Sequence, residues 1–147
     1  MTTIAVNKSS IACDLQATGS YKFKVKTKIF VPTKDVSNYF FEIDRCFVGF
    51  SGKMDRIAEA VGYLSSEGKK KPPRLDLVGI ALGEDKKIWR TDNFSHWYEI
   101  GDSYHAIGSG CDFAMGALGE GKSPIEAVRI AGKWDTGTGL GYKEYKF

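Results

Sequence analysis

The sequence has few of the features that would assign a chain quickly to a class of protein. It contains only three cysteines, Cys13, Cys46 and Cys111, and no CxxC pair. A disulfide framework and a structural zinc site are therefore not expected. No apolar run approaches the ~20 residues of a membrane-spanning helix. The first residues also lack the basic and apolar segments of a signal peptide. We expect a cytoplasmic protein with no metal, no cofactor and no membrane contact.

A strong charge imbalance is missing as well. Lysine and arginine number 21 and aspartate and glutamate 18, which leaves a net charge of +3. That balance does not point to a nucleic-acid partner. What is present is ordinary globular composition, with 42% hydrophobic and 27% charged residues. Domains most often run to about 100–150 residues, so we expect one domain over residues 1–147.

Alternating patterns predict strands in the first part of the chain. Residues 3–6 and 11–14 form a hairpin candidate, and residues 39–43 and 46–51 form a second one around Asp44 and Arg45. Between the two hairpins, residues 21–30 alternate as one long strand. Its lysines fall on a single face of that strand: Lys22, Lys24, Lys26 and Lys28.

Helical spacing appears first at residues 54–65 and again at 111–118. The best-marked helix is Pro124–Trp134, with Ser123 as N-cap and Glu126 completing a capping box. Residues 66–74 read as a polar surface loop. Further strands are predicted at 75–82, 87–91, 97–100 and 104–107, and after Gly141. This order predicts an α+β fold, with antiparallel strands and helices packed on the sheet faces.

The start of the chain carries a possible nucleophile. Methionine before a small residue is usually removed in cells, which would leave Thr2 first, with both a hydroxyl and a free α-amine. The reference pKa of that amine is ~7.7–8.0, so it is partly neutral near pH 7 and can accept the hydroxyl proton.

Several short segments occur in one order along nearly the whole chain. They are TTIAV at 2–6, CD at 13–14, TKIF at 27–30, FVGFSG at 47–52, AIGSG at 106–110 and DTGTG at 135–139. Together they resemble the proteasome β-subunit family and in particular its bacterial branch, the HslV peptidases. The resemblance implies an N-terminal-nucleophile hydrolase sandwich and a threonine-type endopeptidase. One departure is that the loop at 66–74 stands where the family has a second long helix.

The resemblance also implies roles for individual residues. Thr2 would be the nucleophile, Lys28 would tune its amine and Asp14 would orient that lysine. The backbone N–H of Gly52 would stabilise the oxyanion. The residues that would hold the terminal amine are Ser109, Asp135 and Thr138. The residues that would lie near the specificity pocket are Ala17, Lys26, Phe30, Phe50 and Met54.

Partners follow from the resemblance in the same way. A peptide or unfolded protein would be the substrate, and a homo-oligomer and an unfolding ATPase partner are implied. Phe50 and Met54 favour an apolar substrate side chain, whereas Lys26 favours an acidic one.

Each of these residues has a simpler interpretation. Asp14 would serve in a turn, Lys28 on a solvated strand face, and Gly52 in a tight turn. Ser109 would cap the following helix, and Asp135 and Thr138 would close the preceding one. Phe30 and Phe50 would be core residues.

Two other functions stay open. A non-catalytic module would contact nucleic acid through the lysine face, the lysines at 69–71 and the aromatic residues Trp89, Phe94, Trp97 and Tyr98. An N-terminal-nucleophile amidase would act on a small amide instead of a peptide.

Overall fold

The computed structural model describes residues 2–32, 45–66 and 71–147. These residues form antiparallel sheets and three helices, α1 (Met54–Leu64), α2 (Cys111–Gly119) and α3 (Pro124–Trp134). The strands are β1 (Thr3–Asn7), β2 (Ile11–Asp14), β3 (Gln16–Thr18), β4 (Lys22–Lys24), β5 (Ile29–Phe30), β6 (Cys46–Gly52), β7 (Leu77–Gly83), β8 (Ile88–Thr91), β9 (Tyr98–Ile100), β10 (Tyr104–Gly108) and β11 (Tyr142–Tyr145).

The strands make two main sheets and a small one. The first sheet has the order β10-β1-β2-β11, and the second has the order β5-β6-β7-β8-β9. Strands β3 and β4 form a separate pair. All of these pairings are antiparallel, so the α+β class expected from the sequence is confirmed.

The two main sheets pack face to face. Ile4 and Val6 of β1 share one buried cluster with Ile80 and Leu82 of β7. Full burial of each such side chain contributes roughly 1.5–3 kcal/mol. At one point the sheets are very close, because a Cβ on Gly49 would lie 2.7 Å from Ile4 Cδ1. A side chain at position 49 would therefore push the sheets apart.

The helices cover the outer faces. Ala5, Ala12 and Ala106 point away from the sandwich and pack with residues of α2 and α3. Small side chains on this face let the two helices approach the first sheet closely. On the second sheet, Val48 and Phe50 pack with residues of α1. The alternation of large and small residues along each strand thus produces four layers, helix, sheet, sheet and helix.

Helix α3 begins as the sequence predicts. The Ser123 hydroxyl accepts a hydrogen bond from the Glu126 N–H at 3.4 Å, and Pro124 occupies the first turn. Apart from the strand at 21–30, the other predicted elements within the described residues are also present, with small differences at their ends. The predicted strand at 39–43 and the turn residue Asp44 lie outside the described residues.

The single long strand predicted over residues 21–30 is wrong. The chain forms β4, leaves the sheet, and pairs again as β5. The Val25 N–H donates to the Leu15 carbonyl at 2.8 Å, and the Thr27 hydroxyl lies 2.8 Å from the Tyr145 hydroxyl. These contacts bend the chain between the two strands, so Lys28 does not continue the face of the preceding lysines.

None of the helices in the described ranges has the length and hydrophobicity that a membrane-spanning helix requires.

Candidate active site

Thr2 lies immediately before β1 and is only 4% exposed. The ammonium of Lys28 donates one hydrogen bond to Thr2 Oγ1 and a second, at 2.7 Å, to Asp14 Oδ1. The three side chains come from the start of β1, the end of β2 and the bend before β5. The structure therefore brings a hydroxyl, a cation and a carboxylate into one hydrogen-bonded group.

Asp14 is fully buried, and its carboxylate is completely surrounded by donors. Besides Lys28, Oδ1 accepts from the Thr3 N–H at 3.1 Å. Oδ2 accepts from the Gln16 N–H at 3.2 Å and from the Gly139 N–H at 3.0 Å. A buried carboxylate is tolerated when it is paired and hydrogen-bonded in this way. The interpretation of Asp14 as a turn residue does not hold, because Asp14 is the last residue of β2.

Lys28 is largely buried, with a side chain 10% exposed. Burial lowers the pKa of its ammonium, and the neighbouring Asp14 carboxylate opposes that shift. A cation in a poorly hydrated site interacts strongly with charge that develops nearby. The interpretation of Lys28 as one of a row of solvated lysines is therefore wrong.

A second group of polar side chains lies on the nitrogen side of Thr2. The Thr2 N–H donates to Ser109 Oγ at 3.3 Å, and Ser109 Oγ donates to Asp135 Oδ2 at 2.6 Å. Thr138 Oγ1 also donates to Asp135 Oδ2, at 2.5 Å. Burial acts to raise the pKa of Asp135, but hydrogen bonds from Ser109 and Thr138 outweigh it, and the pKa lies below its usual value.

The two glycines of the AIGSG segment, Gly108 and Gly110, leave room for the atoms around Thr2 and Thr138. A Cβ on Gly108 would lie 2.0 Å from the carbonyl oxygen of Thr2. A Cβ on Gly110 would lie 2.2 Å from Thr3 Oγ1 and 3.1 Å from Thr138 Oγ1. Real Cβ atoms essentially never come within 3.0 Å of such atoms, so positions 108 and 110 have no room for a side chain. Ser109 does not cap α2, whose N-cap is Gly110 without a side-chain hydrogen bond.

A cavity of about 650 Å³ opens beside Thr2. Its lining includes Gly52, at the end of β6, where φ is +150°. Four of the five residues predicted near the specificity pocket also line it: Ala17, Phe30, Phe50 and Met54. Lys26 is not among the lining residues. It lies in the bend between β4 and β5 and is exposed.

Phe50 is a core residue, as its simpler interpretation has it, and it also lines the cavity. Its ring is 1% exposed and stacks on Phe30 at 6.4 Å between centroids, and both residues line the cavity. A buried aromatic ring can therefore serve as the floor of a pocket.

Sequence reasoning missed Thr3 and Gln16. Thr3 joins both polar groups, through its N–H to Asp14 and its hydroxyl to Thr138. Gln16 lines the cavity and donates from Nε2 to the Thr136 carbonyl at 2.8 Å. Two consecutive threonines, Thr2 and Thr3, were the only local signal for Thr3 in the sequence. No local signal pointed to Gln16.

The aromatic residues invoked for nucleic-acid binding mostly lie in the core. Phe94 is fully buried, and Trp89 and Trp97 pack against the same cluster as Phe94. Only Tyr98 of the four is largely exposed, at 47%. The rings available for stacking on bases are thus fewer than the sequence suggested.

In the part of the chain that the structure describes, no group of three or more His, Cys, Asp or Glu side chains is arranged to hold a metal ion.

Solved structures with a similar fold cover nearly the whole chain. Thiobacillus denitrificans BPH in complex with epoxomicin is 16% identical over 99% of this chain and 97% of that one, with a TM-score of 0.70. The eukaryotic HslV from Trypanosoma brucei is 19% identical over 98% of each chain, with a TM-score of 0.63. The Anbu Gly-1 mutant from a Hyphomicrobium strain is 8% identical over 100% of this chain and 82% of that one, with a TM-score of 0.71.

No protein-family model matches the sequence, and no curated protein is significantly similar to it. The structural likeness is nevertheless extensive. It confirms the α+β sandwich fold that the resemblance implied, which this chain shares with the HslV structure.

Proposed function

We propose that the protein is a threonine-type endopeptidase whose nucleophile is Thr2 after removal of Met1. The observation that carries this proposal is the contact between the Thr2 hydroxyl and a buried ammonium that is itself paired with a buried carboxylate. An ion pair with a purely structural role does not need a threonine hydroxyl as its third partner. Once Met1 is removed, that hydroxyl has its own α-amine available as the base.

The reaction would begin with proton transfer from Thr2 Oγ1 to the neutral α-amine. The oxygen then attacks the carbonyl carbon of a peptide bond, which gives a tetrahedral oxyanion. The protonated amine returns its proton to the leaving nitrogen, the peptide bond breaks, and an ester to Thr2 remains. Water, activated by the same amine, hydrolyses that ester and releases the threonine.

Lys28 would lower the energy of the developing alkoxide by charge and by its hydrogen bond. Asp14 would keep the lysine charged and in place, because its other donors fix the carboxylate on three sides. Ser109, Asp135 and Thr138 would hold the amine, and the Gly52 N–H would donate to the oxyanion. Loss of one such donor typically lowers the rate by about 10²–10³.

The cavity supports an apolar substrate side chain next to the cleaved bond. Its lining combines the stacked rings of Phe30 and Phe50 with Met54 and Ile57. Among the residues that the structure describes, the charged side chains in the lining are those of two lysines, Lys28 and Lys53, and none is a carboxylate. A basic substrate side chain would meet like charge there, so it should be disfavoured.

Peptidases of this kind must keep folded proteins away from the nucleophile. We therefore include self-assembly into an oligomer and delivery of unfolded chains by an ATPase as parts of the proposal. Large apolar side chains exposed on the helical layer, Phe113 at 44% and Trp134 at 68%, are compatible with such assembly. Light scattering on the purified protein at several concentrations would measure its size.

The test starts from intact mass, which reports whether Met1 has been removed. Turnover of a fluorogenic peptide with a phenylalanine before the cleaved bond is then compared for wild type, T2S and T2A. Both substitutions keep a small second residue, so methionine removal is unaffected. We expect T2S to retain partial activity and T2A to lose at least 10³-fold, since T2A removes the nucleophile.

Epoxomicin, the compound bound to the Thiobacillus protein, supplies a second readout. We expect its mass to be added to the N-terminal peptide of wild type and not of T2A. Equal turnover by wild type and T2A would refute the proposal. A processed wild type with neither turnover nor adduct would favour the non-catalytic module. Turnover of small amides alone would favour the amidase.

A further inference from the structure

Thr3 is fully buried and makes a hydrogen bond of its own at the site. Its Oγ1 lies 2.7 Å from Thr138 Oγ1. The pair occupies the space that a side chain on Gly110 would fill, since a Cβ there would lie 2.2 Å from one of these oxygens and 3.1 Å from the other. The backbone thus leaves room for this contact between hydroxyls.

The direction of the hydrogen bond follows from the third member of the chain. Thr138 Oγ1 lies 2.5 Å from Asp135 Oδ2, and an ionised carboxylate only accepts. The single proton of Thr138 is therefore committed to Asp135. Thr138 can only accept from Thr3, so the protons run from Thr3 to Thr138 to Asp135.

Thr3 also contacts the other half of the site. Its backbone N–H donates to Asp14 Oδ1 at 3.1 Å, the same oxygen that accepts from Lys28. One residue is therefore linked to both carboxylates, directly to Asp14 and through Thr138 to Asp135. A displacement of β1 at this residue would change the lysine side and the amine side together.

We propose that Thr3 is a positioning residue: its hydroxyl orients and polarises the Thr138 hydroxyl toward Asp135, and so sets the basicity of the terminal amine held there. This inference rests on the proposed function of Thr2. A hydroxyl that accepts a hydrogen bond becomes a stronger donor, an effect of the order of 10–30% per bond. Without the Thr3 proton, the negative charge of Asp135 is less well compensated and holds the protonated amine more firmly.

The experiment compares T3V, which keeps the shape and loses the hydroxyl, with T3S, which keeps the hydroxyl and loses the methyl. T91V is the matched control, because Thr91 is equally buried and donates to the His96 carbonyl at 2.5 Å, away from the site. All proteins are first shown by mass to lack Met1. The pKa of the α-amine is measured by NMR with ¹⁵N-threonine, and kcat/KM is measured between pH 5.5 and 9.

We expect T3V to raise the pKa of the amine by about 0.5–1 unit, which moves the acidic limb of the kcat/KM profile upward by the same amount. At pH 7 kcat/KM should fall about 3- to 10-fold and should recover at high pH. KM should change little, since Thr3 does not line the cavity. T3S should match wild type, and T91V should lose stability without a change in the pKa of the amine.

A double-mutant cycle with T138V tests whether Thr3 acts through Thr138. If Thr3 acts through Thr138, then T3V produces no further shift in the amine pKa when it is added to T138V. An additive shift overturns the proposal, as does a T3S variant that behaves like T3V, because methyl packing then explains the effect. An unchanged amine pKa in T3V also overturns it. The NMR measurement needs no turnover, so an inactive wild type refutes the proposed function while this inference is still tested.

Discussion

The carbonyl oxygen of Thr2 occupies the space that a Cβ atom on Gly108 would need, since the two would be 2.0 Å apart. Gly108 also has φ of +98°, a conformation that side chains rarely adopt. The residue before the first strand is therefore held against a neighbouring strand at a position where only glycine fits. The nucleophile proposed here owes its fixed position to that contact.

G108A should move Thr2 and abolish peptidase turnover. We expect a loss of stability of about 2–4 kcal/mol, from the left-handed backbone and the overlap together. The matched control is G116A on α2, where nothing lies within 4 Å of the new Cβ and the residue is exposed. That variant should be slightly more stable, by about 0.5–1 kcal/mol. Urea unfolding and peptide turnover of both proteins check this, and an active G108A would contradict it.

The buried pair of Lys28 and Asp14 should show strong energetic coupling. K28M removes the ammonium and leaves a carboxylate with 0% exposure without its counter-ion. We expect K28M and D14N each to lose about 3–5 kcal/mol of stability and at least 10³-fold of activity. The double variant should lose less stability than the sum of the losses in K28M and D14N, because no unpaired charge remains in it. Additive unfolding free energies would show that the pair does not interact.

His105 should make stability depend on pH outside the proposed catalytic group. Its Nε2 lies 2.9 Å from Nη1 of Arg90, and burial together with the Arg90 charge lowers the pKa of the imidazole. Asp92 and Asp102 oppose the shift. The unfolded chain therefore binds a proton more readily, so stability falls as the pH drops below about 6.5.

H105Q should reduce that loss of stability, since its amide oxygen can accept from Arg90 without taking up a proton. Between wild type and H105Q, this loss of stability should differ by less than about 1 kcal/mol, because the ring is only half buried and solvent screens the charge. Thermal unfolding of wild type and H105Q at pH 5 and pH 7.5 measures it. H96Q controls for the removal of an imidazole from an exposed position. Identical pH dependence in wild type and H105Q would rule out this role.

Met54 should influence which substrates are accepted. It lines the cavity at the start of α1 and is 55% exposed. M54E places a negative charge in a lining whose charged groups are lysines. We expect the ratio of kcat/KM for an arginine substrate to that for a phenylalanine substrate to rise about 10-fold or more. A58E makes the same charge change on an exposed residue of α1 that does not line the cavity. An equal response from both variants would show that the cavity does not select the substrate.

Local pattern was sufficient for most of the elements. The cap at Ser123 and the alternation of large and small residues along β1 are properties of neighbouring positions, so helix, strand and layer can be inferred from them. The resemblance carried by the short segments implied roles for Thr2, Lys28 and Asp14, which the fold brings into contact.

The alternation of residues alone gave a wrong prediction for the lysines. An alternating run from 21 to 30 predicts one strand with all its lysines in water, whereas contacts to Leu15 and Tyr145 bend it and bury Lys28. The sequence also could not predict that the Thr3 hydroxyl contacts Thr138, which lies 135 residues away along the chain. Desolvation and close atomic approach depend on which distant segments share a few ångströms of space. That information appears only when the sheets and helices have packed.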